Sequence, residues 1–213
     1  FRKNANTSNS FKNISDADVY IIAVSDTAIE SVSQQLTAKK GLIVHTSGSA
    51  SIMELRANER NGIFYPLQTF SKNRAVNFQN IPICIEAKKK EDLESLRKLA
   101  RMISDSVYEI SSEQRKSIHL AAVFVNNFTN HLYHAASEIC VRNKVPFHIL
   151  EPLIEETALK IKNLSPLEAQ TGPARRGDTE TIQKHIQQLT NDAYRDIYSL
   201  ISESISTTYG EKL

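Results

Sequence analysis

Val19-Tyr20-Ile21-Ile22-Ala23-Val24 is a nearly continuous apolar run that ends at the small polar pair Ser25-Asp26. Such a run predicts a strand that is buried on both faces, as the strands of parallel sheets are. Apolar residues at helical spacing follow over 27–38, and a second apolar run at 42–45 predicts another buried strand. A strand, a helix and a second strand in this order predict a βαβ unit.

The alternation of strands and helices continues to about residue 111. Further strands are predicted at 62–65, 81–87 and 107–110, and further helices at 51–60 and 90–103. From Ser112 onward every predicted element is a helix, with bounds near 112–144, 147–163, 178–190 and 192–207. The expected fold is therefore α/β followed by all-α. A domain with a mostly parallel sheet would occupy 1–111, and an all-helical domain 112–213.

Charge and composition exclude several classes of function. The 213 residues include 26 basic and 24 acidic side chains, and this net charge of +2 gives no reason to expect nucleic acid or an anionic membrane as a partner. No apolar run approaches the roughly 20 residues that span a bilayer. Cys84 and Cys140 lie in separate elements, so we expect reduced thiols, no metal site and a cytoplasmic protein.

Small polar residues follow the first two predicted strands: Ser25 and Asp26 after the first, and Thr46, Ser47 and Gly48 after the second. Ligands of open α/β sheets bind beyond the carboxyl ends of the strands, so these five residues are candidates for binding a cofactor. Alternatively, these side chains only cap the helices that follow. Two successive strands with similar ends favour a ligand.

The predicted long helix carries a polar face among apolar residues. At about 100° per residue, Arg115, His119 and Asn126 fall within about 40° of one line, and Asn127 lies within about 80° of it. Polar groups in such surroundings need hydrogen-bond partners. Two interpretations stay open: a hydrogen-bonded core histidine with interface asparagines, or a site at which His119, Asn126 and Asn127 meet a bound carbonyl, carboxylate or amide.

A third candidate is the segment between two predicted helices, Thr-Gly-Pro-Ala-Arg-Arg-Gly-Asp at 171–178. Gly172 and the proline after it predict a tight turn, and Asp178 is positioned to cap the following helix. Arg176 offers a bidentate fork for a carboxylate or phosphate group. Gly172, Arg176 and Asp178 are therefore candidates for binding a substrate; the alternative is a solvated loop.

Five stretches together resemble a family of Rossmann-like proteins whose carboxy-terminal domain is known only as a domain of unknown function. They are HTSGS at 45–49, YPLQTF at 65–70, IPICIE at 81–86, HLAAVFVNNF at 119–128 and TGPARRGD at 171–178. The family is similar in architecture to pyrroline-5-carboxylate reductases and to 6-phosphogluconate and β-hydroxyacid dehydrogenases. The resemblance implies an NADP cofactor, with NAD as the alternative, a homodimer formed through the helical domain, and an active site at the junction of the domains.

The chain departs from this pattern at three places. A Gly-x-Gly-x-x-Gly turn normally follows the first strand of a Rossmann domain, and the six glycines here do not form one. We therefore expect either a first βαβ unit upstream of Phe1, without which NADPH would bind weakly, or a different mode of nucleotide binding. Tyr65 stands where many members have histidine, and Val123 stands where the reductases carry a catalytic lysine.

The residues and the resemblance lead to two functional hypotheses. The first is an NAD(P)-dependent oxidoreductase of a small polar substrate, in which His119 donates a proton or polarises a carbonyl, since the pKa of imidazole lies near neutrality. Asn126 or Asn127 would orient the substrate, and Arg176 would bind an anionic group. The second is a non-catalytic, nucleotide- or metabolite-binding regulatory dimer with the same fold, which Val123 favours.

Overall fold

The computed structural model describes residues 6–55 and 59–210. The chain divides into two compact units, 1–129 and 130–213. Secondary structure changes from α/β to helical earlier, between a strand that ends at Glu109 and a helix that begins at Ser112. The first unit therefore contains the whole sheet and the beginning of the long helix, and a domain boundary at 111 stays a prediction.

Five strands form one sheet, in the same order as in the chain. They are β1 (Val19–Ile22), β2 (Leu42–His45), β3 (Asn61–Pro66), β4 (Ile83–Ala87) and β5 (Val107–Glu109). The pairs β1–β2, β2–β3 and β4–β5 are parallel, and β3–β4 is antiparallel. The sheet is mostly parallel, as predicted, and the carboxyl ends of β1, β2 and β3 lie at one edge.

Helices and apolar side chains cover both faces of the sheet. On one face, α1 (Ile29–Gln34) contributes to a cluster of Tyr20, Ile22, Ile29, Leu36, Ile43, Ala50 and Leu55. On the other, α2 (Lys90–Arg101) contributes to a cluster of Leu42, Val44, Phe64, Ile83, Ile85, Leu96 and Ala100. Strand residues alternate between the two clusters, as the two-residue period of a strand requires.

Two predictions about this unit were wrong in part. Strand β1 is not buried on both faces, because Ile21 is 48% exposed. Ile21 pairs with Val44 and so lies on the face of α2, but α2 packs on β3, β4 and β5 and leaves β1 uncovered. The helix predicted at 51–60 is only a 3₁₀ turn at Ile52–Glu54, closed by a Ser51–Glu54 capping box; residues 56–58 lie outside the described residues.

All described elements after Ser112 are helical, as predicted. They are α3 (Ser112–Ala122), a π-helical turn (Val123–Phe128), α4 (Thr129–Arg142), a 3₁₀ turn (Phe147–Leu150), α5 (Glu151–Lys160), α6 (Pro166–Ala169), a second 3₁₀ turn (Ala174–Arg176), α7 (Thr179–Gln188) and α8 (Asp192–Gly210). The π turn interrupts the helix predicted over 112–144. Among the described residues of the second unit, only Ala174 is buried. No helix in the described part of the chain is long and apolar enough to cross a membrane.

The turn that follows β2 is fixed by a buried histidine. The backbone N–H of Ser47 donates to Nδ1 of His45 at 3.2 Å, and Nε2 lies 3.3 Å from the carbonyl oxygen of Ser51. Because Nδ1 accepts, the proton of the neutral ring is on Nε2 and is donated to Ser51. Burial, and then the charge of Arg115, lower the pKa of His45. The imidazole is therefore neutral at neutral pH.

This lowered pKa predicts a loss of stability in mild acid. The unfolded chain binds the proton more tightly, so the contribution of His45 is intact above the unfolded pKa of about 6.5 and is lost as the pH falls below it. We expect His45→Gln to reduce the slope of unfolding free energy between about pH 7.5 and pH 5.5, by up to about 1.4 kcal/mol per pH unit. Urea unfolding at several pH values measures this slope, and equal slopes in both proteins would contradict the prediction.

Candidate active site

Helix α3 begins beside strand β4. Ser111 caps the helix: its hydroxyl accepts from the N–H of Gln114 at 3.2 Å, and its own N–H donates to Oε1 of Gln114 at 2.8 Å. The hydroxyl of Ser112 donates to the carboxylate of Glu86 on β4 at 2.9 Å. The predicted helix start at Ser112 is confirmed, and these contacts attach the first turn of α3 to the sheet.

One turn further, Arg115 joins α3 to the end of β2. Its side chain is fully buried, and Nη1 donates to the carbonyl oxygen of Ser47 at 3.0 Å. Nη2 lies 3.4 Å from the hydroxyl of Ser112, and Nε lies 3.8 Å from Oε2 of Glu86, too far for a hydrogen bond. Burial lowers the pKa of Arg115, and the charge of Glu86 opposes that shift. An arginine stays protonated in proteins, so a buried positive charge lies directly behind the 46–49 turn.

The next turn of α3 brings His119 against β3 and the 46–49 turn. Nδ1 of His119 lies 3.2 Å from the hydroxyl of Tyr65, and the two rings meet edge to face with centroids 6.2 Å apart. A Cβ atom on Gly48 would lie 2.4 Å from Nδ1 of His119 and 2.8 Å from Cζ of Tyr65. Only glycine leaves room for this approach. Gly48, predicted to bind a cofactor, therefore first of all makes room for the His119–Tyr65 pair.

The ends of β1 and β2 are joined by a hydrogen bond. Ser49 donates to the carboxylate of Asp26, and this bond is the main reason that the pKa of Asp26 is lowered. The hydroxyl of Ser25 lies 3.3 Å from that of Thr27 and does not cap the following helical turn. Asp26 is therefore an anion at neutral pH, and the capping role considered for Ser25 is not observed.

The polar groups that follow β2 form hydrogen bonds mainly within their own turn. The hydroxyl of Ser47 accepts from the N–H groups of Ser49 and Ala50 at 3.1 and 2.9 Å. The N–H of Thr46 donates to the carbonyl oxygen of Ile22 at 3.2 Å and so continues the pairing of β2 with β1. Ser47 thus fits the capping alternative, whereas the side chain of Thr46 is half-buried at the edge where the strands end.

An open cleft of about 650 Å³ lies beside His119. Its lining residues come from β3 and the segment after it, from α3 and from the π turn: Tyr65, Leu67, Gln68, Thr69, Phe70, Ile118, His119, Ala121, Ala122, Val123, Val125, Asn126 and Asn127. The three predicted catalytic residues, His119, Asn126 and Asn127, thus share one cleft. Among the described residues, neither asparagine side chain has a hydrogen-bond partner, so both amides are available to a ligand.

The π turn changes which asparagine follows His119 on the helix surface. A π turn closes i→i+5 hydrogen bonds and so holds one residue more than an α turn. The extra residue displaces the positions after it, which moves Asn127 toward the place that α-helical spacing assigns to Asn126. The hydroxyl of Thr129 donates to the carbonyl oxygen of Phe124 at 3.0 Å and so satisfies one backbone group of this turn. Turns of this kind are frequent at functional sites.

The predicted substrate-binding residues Gly172, Arg176 and Asp178 belong to the second unit. Asp178 caps α7, accepting from the N–H of Thr181 at 3.0 Å, as predicted. Gly172 has a φ of 107°, which favours glycine. Arg175 donates to the backbone carbonyl oxygens of Glu168 and Gln170, whereas Arg176 is exposed and makes no such bond among the described residues. A role for these residues in substrate binding stays a prediction.

Both cysteines are free thiols. Cys84 is buried beside Tyr65 in the sheet, and burial raises the pKa of its thiol; Cys140 is half-buried. A buried thiol of raised pKa is a poor nucleophile. Within residues 6–55 and 59–210, no group of three or more His, Cys, Asp or Glu side chains is arranged to hold a metal ion.

Tyr65 is the residue of this site to which the sequence assigned no role. The family resemblance predicts histidine at this position, so no proton-transfer role is expected of a tyrosine there. The alternation of side chains along β3 indicates which face of the sheet Tyr65 lies on. Ile63 pairs with His45, so Tyr65, two residues later, lies on the same face of the sheet as His45. The partner of its hydroxyl is 54 residues away in the chain, which strand alternation alone does not reveal.

The sheet and the helices after it define the class of this protein. A mostly parallel sheet with polar residues at the carboxyl ends of its strands, followed by an all-helical region, is a Rossmann-like α/β architecture with a helical carboxy-terminal part. Residues 81–205 match the domain of unknown function DUF2520, and the chain belongs to this family. A search of curated proteins finds no match.

Solved structures support the same class. A protein from Bacteroides fragilis, named as a candidate NADP oxidoreductase, is 42% identical with a TM-score of 0.86, over 94% of this chain and 80% of that one. A Thermotoga maritima protein is 22% identical with a TM-score of 0.76, over 94% and 81% of the two chains. A 1-pyrroline-5-carboxylate reductase from Streptococcus pyogenes is 16% identical with a TM-score of 0.56, over 89% and 76%. The last two likenesses concern the fold alone.

The close approach at Gly48 predicts that Gly48→Ala disrupts the site. The added methyl group would overlap His119 and Tyr65, so both rings must move. Overpacking of this kind costs about 1–3 kcal/mol. We expect a lower unfolding free energy and a changed environment of Tyr65, measured by urea unfolding and near-ultraviolet circular dichroism. The control is Gly210→Ala in α8, where a Cβ meets nothing within 4 Å. Equal stability of the two variants would contradict the prediction.

Proposed function

We propose that this protein is an NADP-dependent oxidoreductase of a small polar molecule, with the reacting group of the substrate bound at His119. The observation that carries the proposal is His119 itself. It is a hydrogen-bonded imidazole lining a largely apolar cleft, at the edge where three strands of a Rossmann-like sheet end. A small-molecule site is typically an apolar cleft that contains only a few polar groups. The name given to the 42% identical Bacteroides protein supports the same class of reaction.

The proposal gives the lining side chains separate tasks. His119 interacts with the oxygen or nitrogen atom whose bond order changes in the reaction. Asn126 and Asn127 orient the substrate through their free amides, with Asn127 the better placed because of the π turn. Arg176 is proposed to bind an anionic group of the substrate, with Gly172 and Asp178 contacting other parts of the substrate.

Ser25, Asp26, Thr46, Ser47 and Gly48 are proposed to hold the cofactor. Hydroxyl and carboxylate groups fit the sugar hydroxyls and carboxamide of a nicotinamide nucleotide, because these both donate and accept hydrogen bonds. An ionised Asp26 suits a hydroxyl of the nicotinamide ribose, which carries no 2′-phosphate in NADP. The pyrophosphate of such cofactors is normally held by a glycine-rich turn, for which residues 1–213 contain no matching sequence. The nicotinamide, when bound, supplies or accepts a hydride.

The test of this proposal needs a His119 variant that loses the reactive imidazole but stays folded. His119→Ala would leave the buried hydroxyl of Tyr65 without its acceptor, which makes alanine a poor choice. In His119→Asn the amide oxygen can replace Nδ1, so the protein should stay folded and bind NADPH. Oxidation of NADPH should fall by about 10²–10⁴-fold, the usual contribution of a general acid or base. The assay follows NADPH absorbance in the full-length gene product with a panel of small ketones, imines and 2-oxo acids.

The control is His185→Asn, which alters the other tyrosine-bonded histidine; His185 Nδ1 lies 2.8 Å from the hydroxyl of Tyr198 in the second unit. Its turnover should equal that of the unchanged protein. Turnover within tenfold of normal in His119→Asn would refute the role of His119. Calorimetric binding of NADPH without turnover of any compound would instead indicate a non-catalytic binding protein.

We also propose that the protein is a homodimer formed through its helical unit. Among the described residues of this unit only Ala174 is buried, whereas large apolar side chains are exposed on several helices: Val141 by 73%, Leu153 by 63% and Leu200 by 69%. Exposed apolar surface of this extent is typical of a protein–protein interface. A second copy of the chain is the simplest partner, since most soluble oligomers are homo-oligomers.

Light scattering at micromolar concentration should therefore give twice the chain mass of 24.0 kDa. Leu200→Glu places a charge in the proposed interface and should shift the protein toward monomer, because an unpaired charge is costly to bury. The control is Met102→Glu, which adds the same charge at an exposed apolar residue of the first unit and should leave the mass measured by light scattering at that of the dimer. A monomer in the unchanged protein would refute the dimer.

A further inference from the structure

We propose that Tyr65 is a positioning residue: its hydroxyl holds the imidazole of His119 in the tautomer whose proton is on Nε2. His119 then presents a neutral N–H group to the cleft. The consequence for a ligand rests on the proposed function, whereas the tautomer itself is a property of the unliganded protein. The inference follows from where the hydroxyl proton of Tyr65 can go.

The direction of the hydrogen bond follows from burial. Tyr65 is 9% exposed, and burial raises the pKa of its hydroxyl, so the phenol stays protonated at neutral pH. Among the described residues the hydroxyl has one hydrogen-bond partner, Nδ1 of His119 at 3.2 Å. If Nδ1 carried the proton and donated it to Tyr65, the phenol proton would be buried without an acceptor, at a cost of about 1–3 kcal/mol. The phenol therefore donates and Nδ1 accepts.

The packing of the His119 ring determines which of its two nitrogen atoms is accessible to a ligand. A Cβ atom on Gly48 would lie 2.4 Å from Nδ1 and 2.8 Å from Cγ of His119, so this edge of the ring is in close contact with the 46–49 turn. Nε2 is at the far end of the imidazole, and His119 lines the cleft. Nε2 has no hydrogen-bond partner in the part of the chain that the structure describes. Its N–H group is thus free for a ligand.

The charge of Arg115 acts on the same pair. The guanidinium lowers the pKa of Tyr65 in opposition to the larger effect of burial, and it is fixed to the backbone of Ser47, next to Gly48. Cys84, the cross-strand neighbour of Tyr65, is a buried thiol and stays neutral. Glu86 lies 3.8 Å from Arg115 and partly balances its charge. Within the described residues, none of these groups accepts a hydrogen bond from the phenol of Tyr65.

A neutral imidazole with its proton on Nε2 polarises an acceptor rather than transferring a proton to it, because the imidazolate left behind is a very strong base. Of the two roles considered for His119, the tautomer therefore favours polarising a carbonyl over donating a proton. The ligand group at His119 is accordingly one that accepts a hydrogen bond and carries no proton of its own there, such as a ketone or carboxamide oxygen.

Nitrogen NMR of the full chain labelled with ¹⁵N-histidine tests the assignment directly, without cofactor or substrate. The signals of His119 are identified by their loss in His119→Asn. At neutral pH we expect an unprotonated Nδ1 and a protonated Nε2. Tyr65→Phe removes the hydroxyl and should move both nitrogen shifts toward the average of the two tautomers. Loss of a hydroxyl that does not bond to His119 should leave the nitrogen shifts unchanged. The control is Tyr20→Phe, because the hydroxyl of Tyr20 bonds to the backbone of Ser15 and Ala17.

A protonated Nδ1 in the unchanged protein would overturn the proposal, and so would nitrogen shifts that are the same in Tyr65→Phe. The unchanged protein decides the question even if Tyr65→Phe does not fold. The result is also independent of the proposed function. Absence of NADPH turnover leaves the tautomer in place, and a protonated Nδ1 leaves open whether His119 acts in an oxidoreductase by donating its proton.

Discussion

The hydrogen bond from Arg115 to the carbonyl oxygen of Ser47 is the contact on which the candidate site depends. It links residues 68 positions apart and attaches helix α3 to the turn after β2. A buried guanidinium is costly to desolvate, and removing one partner of such a contact leaves the other unpaired. The contact also places His119, one turn along α3, against Gly48 and Tyr65. The geometry of the imidazole therefore follows from a charge that has no direct contact with the cleft.

Most of the fold could be predicted because its signals are local. Apolar runs such as 19–24 and 42–45 predict the strands of the sheet, and the unbroken helical pattern after Ser112 predicts the helices of the second half of the chain. Two features depend on distant contacts. The exposure of Ile21 depends on which strands α2 covers, and the sense of β4 depends on pairing with β3. Neither is encoded in the period of the strand itself.

The helix residues that line the candidate cleft could be predicted from the sequence, but the contacts between them could not. His119, Asn126 and Asn127 were found because polar residues on an apolar helix face are conspicuous, and they line one cleft. α-Helical spacing alone favours Asn126 over Asn127 beside His119, because it does not include the extra residue of the turn at Val123–Phe128. Tyr65 was missed because its significance lies in a hydrogen bond to a residue 54 positions away.

The contact of Gly48 with two rings also restricts the order in which this site can change during evolution. A side chain at position 48 would overlap His119 and Tyr65 where they now lie, so a smaller residue at 65 or 119 makes variation at position 48 less costly. A smaller residue at 65 that lacks a hydrogen-bond donor also removes the bond to Nδ1. The tautomer of His119 would then be released before the turn could vary, so chemistry in this cleft changes ahead of its backbone.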